Sequence, residues 1–155
     1  MVLTVQNVTK SYPGAEGDIP VLRGVSLTLG RGETLALTGE SGSGKSTLLH
    51  LIGGLDTVDD GSIVIDGQDI TRLSDTARAA LRRSDVGVIF QQFNLIPSLT
   101  VEANITFQAR LAGAFDTDHT ARLSKALGLT VIVATHSEDV ASRADRRIQM
   151  NQRGN

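Results

Sequence analysis

The sequence contains no cysteine and no tryptophan, only one tyrosine, and just three prolines in 155 residues. Without cysteine there is no disulfide framework and no thiolate metal site, an absence compatible with the cytosol. Charge of one sign is also missing: fifteen basic against seventeen acidic residues leave a net charge of −2, so no positive field points to nucleic acid as a partner. Long apolar runs are lacking too. The longest, such as Val131 to Ala134, fall far short of a bilayer span. The first residues, Met1 to Val8, alternate like a strand and carry no basic region followed by an apolar run, so no secretory leader is expected. Any membrane association is therefore expected through a partner, without direct insertion. An apolar share of 40% and a charged share of 21% are ordinary for a soluble domain, and the length suits a single domain with a real core.

What the chain does have is a glycine-rich loop in a telling place. Residues Gly39, Glu40, Ser41, Gly42, Ser43, Gly44, Lys45, Ser46 and Thr47 fill every required position of a phosphate-binding loop. The spacing has a mechanism: the glycines let backbone N–H groups turn inward around a phosphate chain. Lys45 then reaches the β- and γ-phosphates, and the Ser46 hydroxyl ligates Mg²⁺. Glu33 to Thr38 reads as a short buried strand entering the loop, and Ser46 to Ile52 as a helix leaving it. A flexible Gly/Ser linker would not be bracketed in this way. An exposed lysine at a helix N-terminus also has little structural reason to be there, because the dipole disfavours cations.

The rest of the chain alternates between strand and helix signals. Leu3 to Val8 and Val21 to Leu29 alternate, punctuated by Pro13-Gly14 and by Gly30 and Gly32. Gly53-Gly54 stops the loop's helix, a turn follows at Asp59 to Gly61, and Ser62 to Gly67 reads as a strand closed by a turn. Ser74 caps a helix through Ser84, with Asp75 well placed against its dipole. Val86 to Phe90 suits a buried strand, helices follow from Pro97 and Thr100 and over Asp116 to Leu127, and Thr130 to Thr135 is a final buried strand. Ser137 starts a short helix, and Arg147 to Met150 makes a last small strand. Such alternation predicts an α/β fold with a largely parallel sheet.

Three further segments carry a family resemblance. They are Thr9-Lys-Ser-Tyr12 followed by Val21 to Ser26, Val88 to Pro97 with Gln91 and Gln92 inside it, and Val131-Ile-Val-Ala-Thr-His136. With the loop, and in this order, they resemble the ATP-binding subunits of ABC transporters, nearest to the group that powers lipoprotein release and macrolide-type export. The resemblance implies a P-loop NTPase sheet flanked by helices, with an antiparallel β subdomain and a helical subdomain. It implies ATP and Mg²⁺ as cofactors. It makes Tyr12 the platform that stacks on adenine, Gln91 a ligand of Mg²⁺ or of the attacking water, and His136 the switch histidine on the γ-phosphate. Transmembrane permease subunits and a second ATP-binding subunit are the implied partners, which would hold the chain at the cytoplasmic face of the membrane.

Between Gln91 and His136 the chain departs from that pattern. The family has there a helical subdomain ending in Leu-Ser-Gly-Gly-Gln, then a Walker B strand of four apolar residues ending in Asp and Glu. Here the only Leu-Ser pair of the interval, Leu123-Ser124, is followed by Lys125-Ala126, and no Walker B strand occurs. The expectation is a single domain, residues 1–155, with an internal deletion joined near residues 127–130. It should bind nucleotide without useful turnover, or serve as a module that docks on or competes for permease subunits. Its sheet either closes up across the missing strand or is marginally stable. One segment mimics the missing motif: Ile63-Val-Ile-Asp66 is apolar and ends in Asp, but Gly67 follows it, and Asp66 reads as a turn residue. His50 and His119 read as structural or solvated. The pairs Arg82-Arg83 and Arg146-Arg147 lack interleaved aromatics and read as solvated faces.

Overall fold

Strict alternation makes the first strands half-buried ribbons, and the burial follows it. The computed structural model describes residues 2–84, 86, 130–136, 138–142 and 144–151. Strand β1 (Leu3–Tyr12) turns Leu3, Val5, Val8 and Lys10 inward, and β2 (Ile19–Leu29) turns Leu22, Val25, Leu27 and Leu29 to the same side. Two outward residues in a row, Gln6 and Asn7, would put the rest of β1 on the wrong face. A bulge between Val5 and Val8 absorbs the extra residue, with Asn7 at φ 48° and its N–H bonded to Ser26 Oγ at 2.9 Å. Strands β4 (Asp60–Ile65) and β5 (Gln68–Asp69) complete an antiparallel sheet ordered β2-β1-β4-β5. The turn between them places Asp66 at φ 45° and Gly67 at φ 82°, the left-handed pair that a two-residue hairpin requires. Asp66 is thus the turn residue expected, paired with Arg31 at 2.7 Å.

Strand β3 (Thr34–Thr38) is different, with Leu35 to Thr38 buried without interruption, as befits a strand covered on both faces. It lies between β6 (Val131–Ala134) and β7 (Arg146–Gln149), parallel to both. Helix α1 (Lys45–Ile52) leaves the glycine loop and buries Leu48, Leu51 and Ile52 at i, i+3 and i+4. It ends where expected: Gly54, at φ 63°, donates to Leu51 O, and Leu55 donates to His50 O at 2.8 Å. Helix α2 (Asp75–Ser84) has its expected cap, Ser74 Oγ accepting from the Ala77 N–H at 3.3 Å. Arg82 of α2 donates to the Gly54 carbonyl, tying this helix to the end of α1. Helix α3 (Glu138–Ser142) is the short one predicted from Ser137.

The sheet is not largely parallel among the described residues, which form a four-stranded antiparallel sheet and a three-stranded parallel one. The reason is topological. After α1 the chain returns to the first sheet and pairs β4 with β1, so only β6 and β7 flank the loop's strand. The fold class otherwise stands: an α/β P-loop architecture with an antiparallel β subdomain. The strand over Val86 to Phe90 (beyond Val86 itself), Gln91, both central helices and residues 127–129 lie outside the described residues.

The two sheets and α1 share one core, in which Leu29, Leu35, Leu37 and Leu48 have no solvent exposure. Leu48 sits one turn past the glycine loop. Leu48→Ala should lower the unfolding free energy by about 2–5 kcal/mol, the cost of an unfilled core cavity, measured by urea titration followed by circular dichroism.

Candidate nucleotide-binding site

The loop starts from a fixed point. The Met150 N–H donates to the Thr38 carbonyl at 2.7 Å, continuing the β3–β7 ladder to the last residue before Gly39. Gly39 then turns away at φ 138°, and a Cβ there would collide with the Met150 carbonyl oxygen. Gly44 closes the loop at φ 88°, its α-carbon so close to β2 that a Cβ would come within 2.6 Å of Leu22. Glycine is obligatory at both places for conformation and for space.

Lys45 is not the exposed helix-end lysine that the dipole argument found without structural reason. It is only 7% exposed, and its Nζ donates to Gly39 O at 2.9 Å, Glu40 O at 2.7 Å and Ser43 Oγ at 3.2 Å. The loop carbonyls offset the unfavourable dipole by solvating the charge from the other side. Around this ammonium, α1 begins without any side-chain cap. Its first amides are therefore left for an external acceptor, and the helix dipole favours an anion there. These features fit a polyphosphate. Ser46 stands in the first turn of α1, beside that position. Among the described residues no three His, Asp or Glu side chains converge on one point. A Mg²⁺ ion would thus be held by Ser46 and phosphate oxygens in place of an all-protein cage, the usual arrangement for this ion.

His136 follows the end of β6 and is exposed. The parallel register sets Leu37 against Ala134, and the Thr135 N–H donates to Leu37 O at 3.0 Å. Extending that register sets His136 level with Gly39, one strand over. Strand β6 is seated at its other end by Thr130, whose Oγ1 accepts from the Gly32 N–H at 3.0 Å and donates to Gly30 O at 3.3 Å. A brace unseen in the sequence ties the helix after His136 to the loop's strand. Arg147 grips both oxygens of Glu138 at 2.6 Å and donates from Nε to Thr38 Oγ1 at 3.2 Å. The Arg147 hydrogen bonds hold the Glu138 carboxyl below the usual carboxylate range. Position 147 reads from sequence as half of a solvated basic pair. Only the β3–β7 register shows it beside the loop's strand.

Tyr12 ends β1 and is 36% exposed as a residue. Its hydroxyl donates to Asp56 Oδ2 at 2.7 Å. Burial raises the phenol's pKa, and the bond to Asp56 adds to that, while the Thr47 hydroxyl of the glycine loop acts in the opposite sense. Burial works against the Asp56 charge, but bonds from Tyr12, the Thr57 N–H and Lys10 outweigh it and leave the carboxyl below its ordinary pKa. Thus Tyr12, the loop from Gly39 to Thr47 and His136 come to one end of the β3 ladder. Gln91 lies outside the described residues. Sequence reasoning passed over Lys10, Asp56 and Met150. The i, i+2 spacing of Lys10 and Tyr12 on one strand face, facing an acidic turn at Asp56 to Asp59, was the available signal for the first two.

Comparison with known proteins agrees with this architecture. A family model described as ABC transporter matches residues 22–152. A lipoprotein-releasing system ATP-binding protein of Geobacter metallireducens is 41% identical over 127 residues, 82% of this chain and 56% of the relative. A macrolide export ATP-binding/permease protein of Shigella flexneri is 44% identical over 112 residues, 72% of this chain and 17% of that protein. The chain spans roughly half the length of the lipoprotein-release relatives it matches, 47% to 61%. In three dimensions it is similar to the dimeric ATP-binding cassette MJ0796 in a post-hydrolysis state with ADP and phosphate. The TM-score is 0.80 at 28% identity, covering 97% of this chain and 94% of that one. The chain belongs to the ABC transporter family, and its fold is that of the family's ATP-binding cassette.

Proposed function

We propose that this chain binds Mg-ATP in the loop from Gly39 to Thr47 and hydrolyses it poorly or not at all. The observation that carries the reading is the Lys45 ammonium at the centre of the loop, beside an uncapped helix N-terminus. In this reading Gly39, Glu40, Ser41, Gly42, Ser43 and Gly44 wrap the phosphates, Lys45 neutralises them, and Ser46 holds the metal. Thr47 adds a hydroxyl, Tyr12 stacks on the base, and His136 contacts the terminal phosphate. Gln91 would reach the metal or the attacking water.

Phosphoryl transfer to water also needs an oriented nucleophile. The stretch from Gln92 to Thr135 offers no apolar run ending in Asp-Glu and no Leu-Ser-Gly-Gly-Gln. Losing a general base costs about 10²–10⁴ in rate, and without the signature a second subunit has nothing to present to the bound ATP. An internal deletion near residues 127–130 accounts for both absences, the chain remaining one domain over 1–155. As the family resemblance implies, the chain would work with permease subunits at the cytoplasmic face of the membrane, and no described helix is long and apolar enough to cross it. Docking on such subunits without chemistry is the second reading, favoured by the same missing segments.

Titration with a fluorescent ATP analogue should give saturable, Mg²⁺-dependent binding. Lys45→Ala should weaken it about 10- to 100-fold, the worth of charge-assisted hydrogen bonds to phosphate. Steady-state phosphate release should stay at the level of the Lys45→Ala control, and Lys45-dependent turnover at rates usual for cassettes would refute the proposal. Sequencing the source gene afresh should find the frame running unbroken through codons 127–130; an intact longer frame there would overturn the deletion.

A further inference from the structure

Three candidates stand outside the loop itself: the shallow groove between β2 and β7, the basic face of α2, and the polar cluster under Tyr12. The groove is lined largely by Thr4, Gln6, Ser26, Thr28 and Arg146, and nothing indicates an occupant. On α2, Arg78 is committed to Asp75 and Arg82 to Gly54 O. The cluster under Tyr12 is built to a much higher standard.

Lys10 and Tyr12 share one face of β1, two residues apart. Lys10 is 7% exposed, and its Nζ donates to Asp56 Oδ1 at 3.2 Å and to Thr57 O at 2.7 Å, with Asp59 Oδ1 at 3.6 Å. The same ammonium stands over the Tyr12 ring, 5.2 Å from its centroid. Asp56 takes the Tyr12 hydroxyl on its other oxygen. Ser11 N–H donates to Asp59 Oδ2 at 2.6 Å, and Asp59 N–H to Thr9 O at 3.0 Å. The turn that leaves α1 is therefore stapled to the end of β1 at Asp56, Thr57 and Asp59. One face of the ring is backed by a buried cation and its edge is tethered, while a third of the residue stays open to solvent.

We propose that Asp56, supported by Lys10, is a positioning residue that holds the Tyr12 ring ready for a nucleobase, and that this tether sets the preference for nucleoside triphosphate over bare polyphosphate. The inference rests on the nucleotide reading above and deepens it. Stacking needs only the ring's π-face, so a phenylalanine would stack as well as a tyrosine. A tethered ring, however, has already lost the rotamer freedom that an untethered one must give up when the ligand arrives. The hydroxyl bears on binding through the Asp56 tether and its contact with Thr47, and the Asp56 variant separates the two. Lys10 enters as the partner that keeps the Asp56 carboxylate charged and fixed, since the same carboxylate oxygen pair serves both side chains.

The test is calorimetric titration of the full chain with Mg-ATP and with inorganic tripolyphosphate. Tyr12→Phe removes one oxygen, keeps the ring and leaves the Lys10–Asp56 pair intact, so it is the variant least able to disturb folding. It should weaken ATP about three- to tenfold, the worth of one pre-ordered side chain, and leave tripolyphosphate within about twofold. Asp56→Ala should do the same, and the double variant should be no worse than the weaker single one, because both remove one interaction. If Asp56→Ala fails to fold, Tyr12→Phe alone decides. Unchanged ATP affinity in Tyr12→Phe, an equal loss for both ligands, or additive effects in the double variant would overturn the positioning role alone. Wild-type chain that binds neither ligand would overturn the nucleotide reading and this inference with it.

Discussion

The ladder on either side of β3 decides where the glycine loop begins, and every residue of the site takes its place from that origin. Thr38 is held through its carbonyl by the Met150 N–H and through its hydroxyl by Arg147 Nε. Leu37 is held through its carbonyl by Thr135. A strand of five residues has little intrinsic preference to keep its position, and its register is specified by pairing and burial. Slipping it by one residue would bring Gly39 off the Met150 carbonyl and move Lys45 away from the loop's own oxygens. The glycines are consequences of this constraint. Gly39 and Gly44 are needed because the ladder on one side and β2 on the other leave no room for a Cβ.

Lys45 shows how such a site can exist before any ligand reaches it. A buried ammonium without partners would be costly, and this one has two carbonyls and a hydroxyl. Those acceptors carry only partial charge. Phosphate oxygens carry full negative charge and make shorter, stronger bonds to an ammonium. A polyphosphate would thus exchange weak acceptors for strong ones while also satisfying the free amides of α1, so the loop is folded in advance yet still gains on binding. The same logic explains how the lysine is tolerated at a helix N-terminus: the dipole argument considers the helix and omits the carbonyls that the loop turns toward the charge.

Much of this was legible in the sequence, because local chemistry dictates it. The glycine loop, the Ser74 cap, the Gly53-Gly54 stop and the Asp66-Gly67 turn each rest on a few neighbouring residues. The strand order did not follow from alternation, because the return of β4 to β1 is a long-range choice made by packing. At the site, Tyr12 and His136 stood out through family resemblance. Asp56, bonded to Tyr12, and Arg147, bonded to Glu138 and Thr38, did not, since the first looks like any turn carboxylate and the second like any surface arginine. Their importance comes from contacts 44 and 109 residues away in the chain.

That distribution of contacts bears on how the proposed reading could keep nucleotide binding apart from turnover. A grip on a phosphate chain would draw on β3, its two hydrogen-bonded neighbours, α1 and the end of β1. All of these fall within residues 2–84 and 130–151 of the chain. Both strands that pair with β3 are present, so the loop's origin does not depend on whatever lies beyond β6. Cleavage would draw on other groups, an oriented water and a partner's signature, for which the stretch from Gln92 to Thr135 has no matching motif. Binding energy held in the ground state lowers the concentration at which nucleotide is bound, but contributes nothing to turnover unless it strengthens in the transition state. Under the proposed reading the two functions would therefore draw on different residues, and loss of the second would leave the first in place.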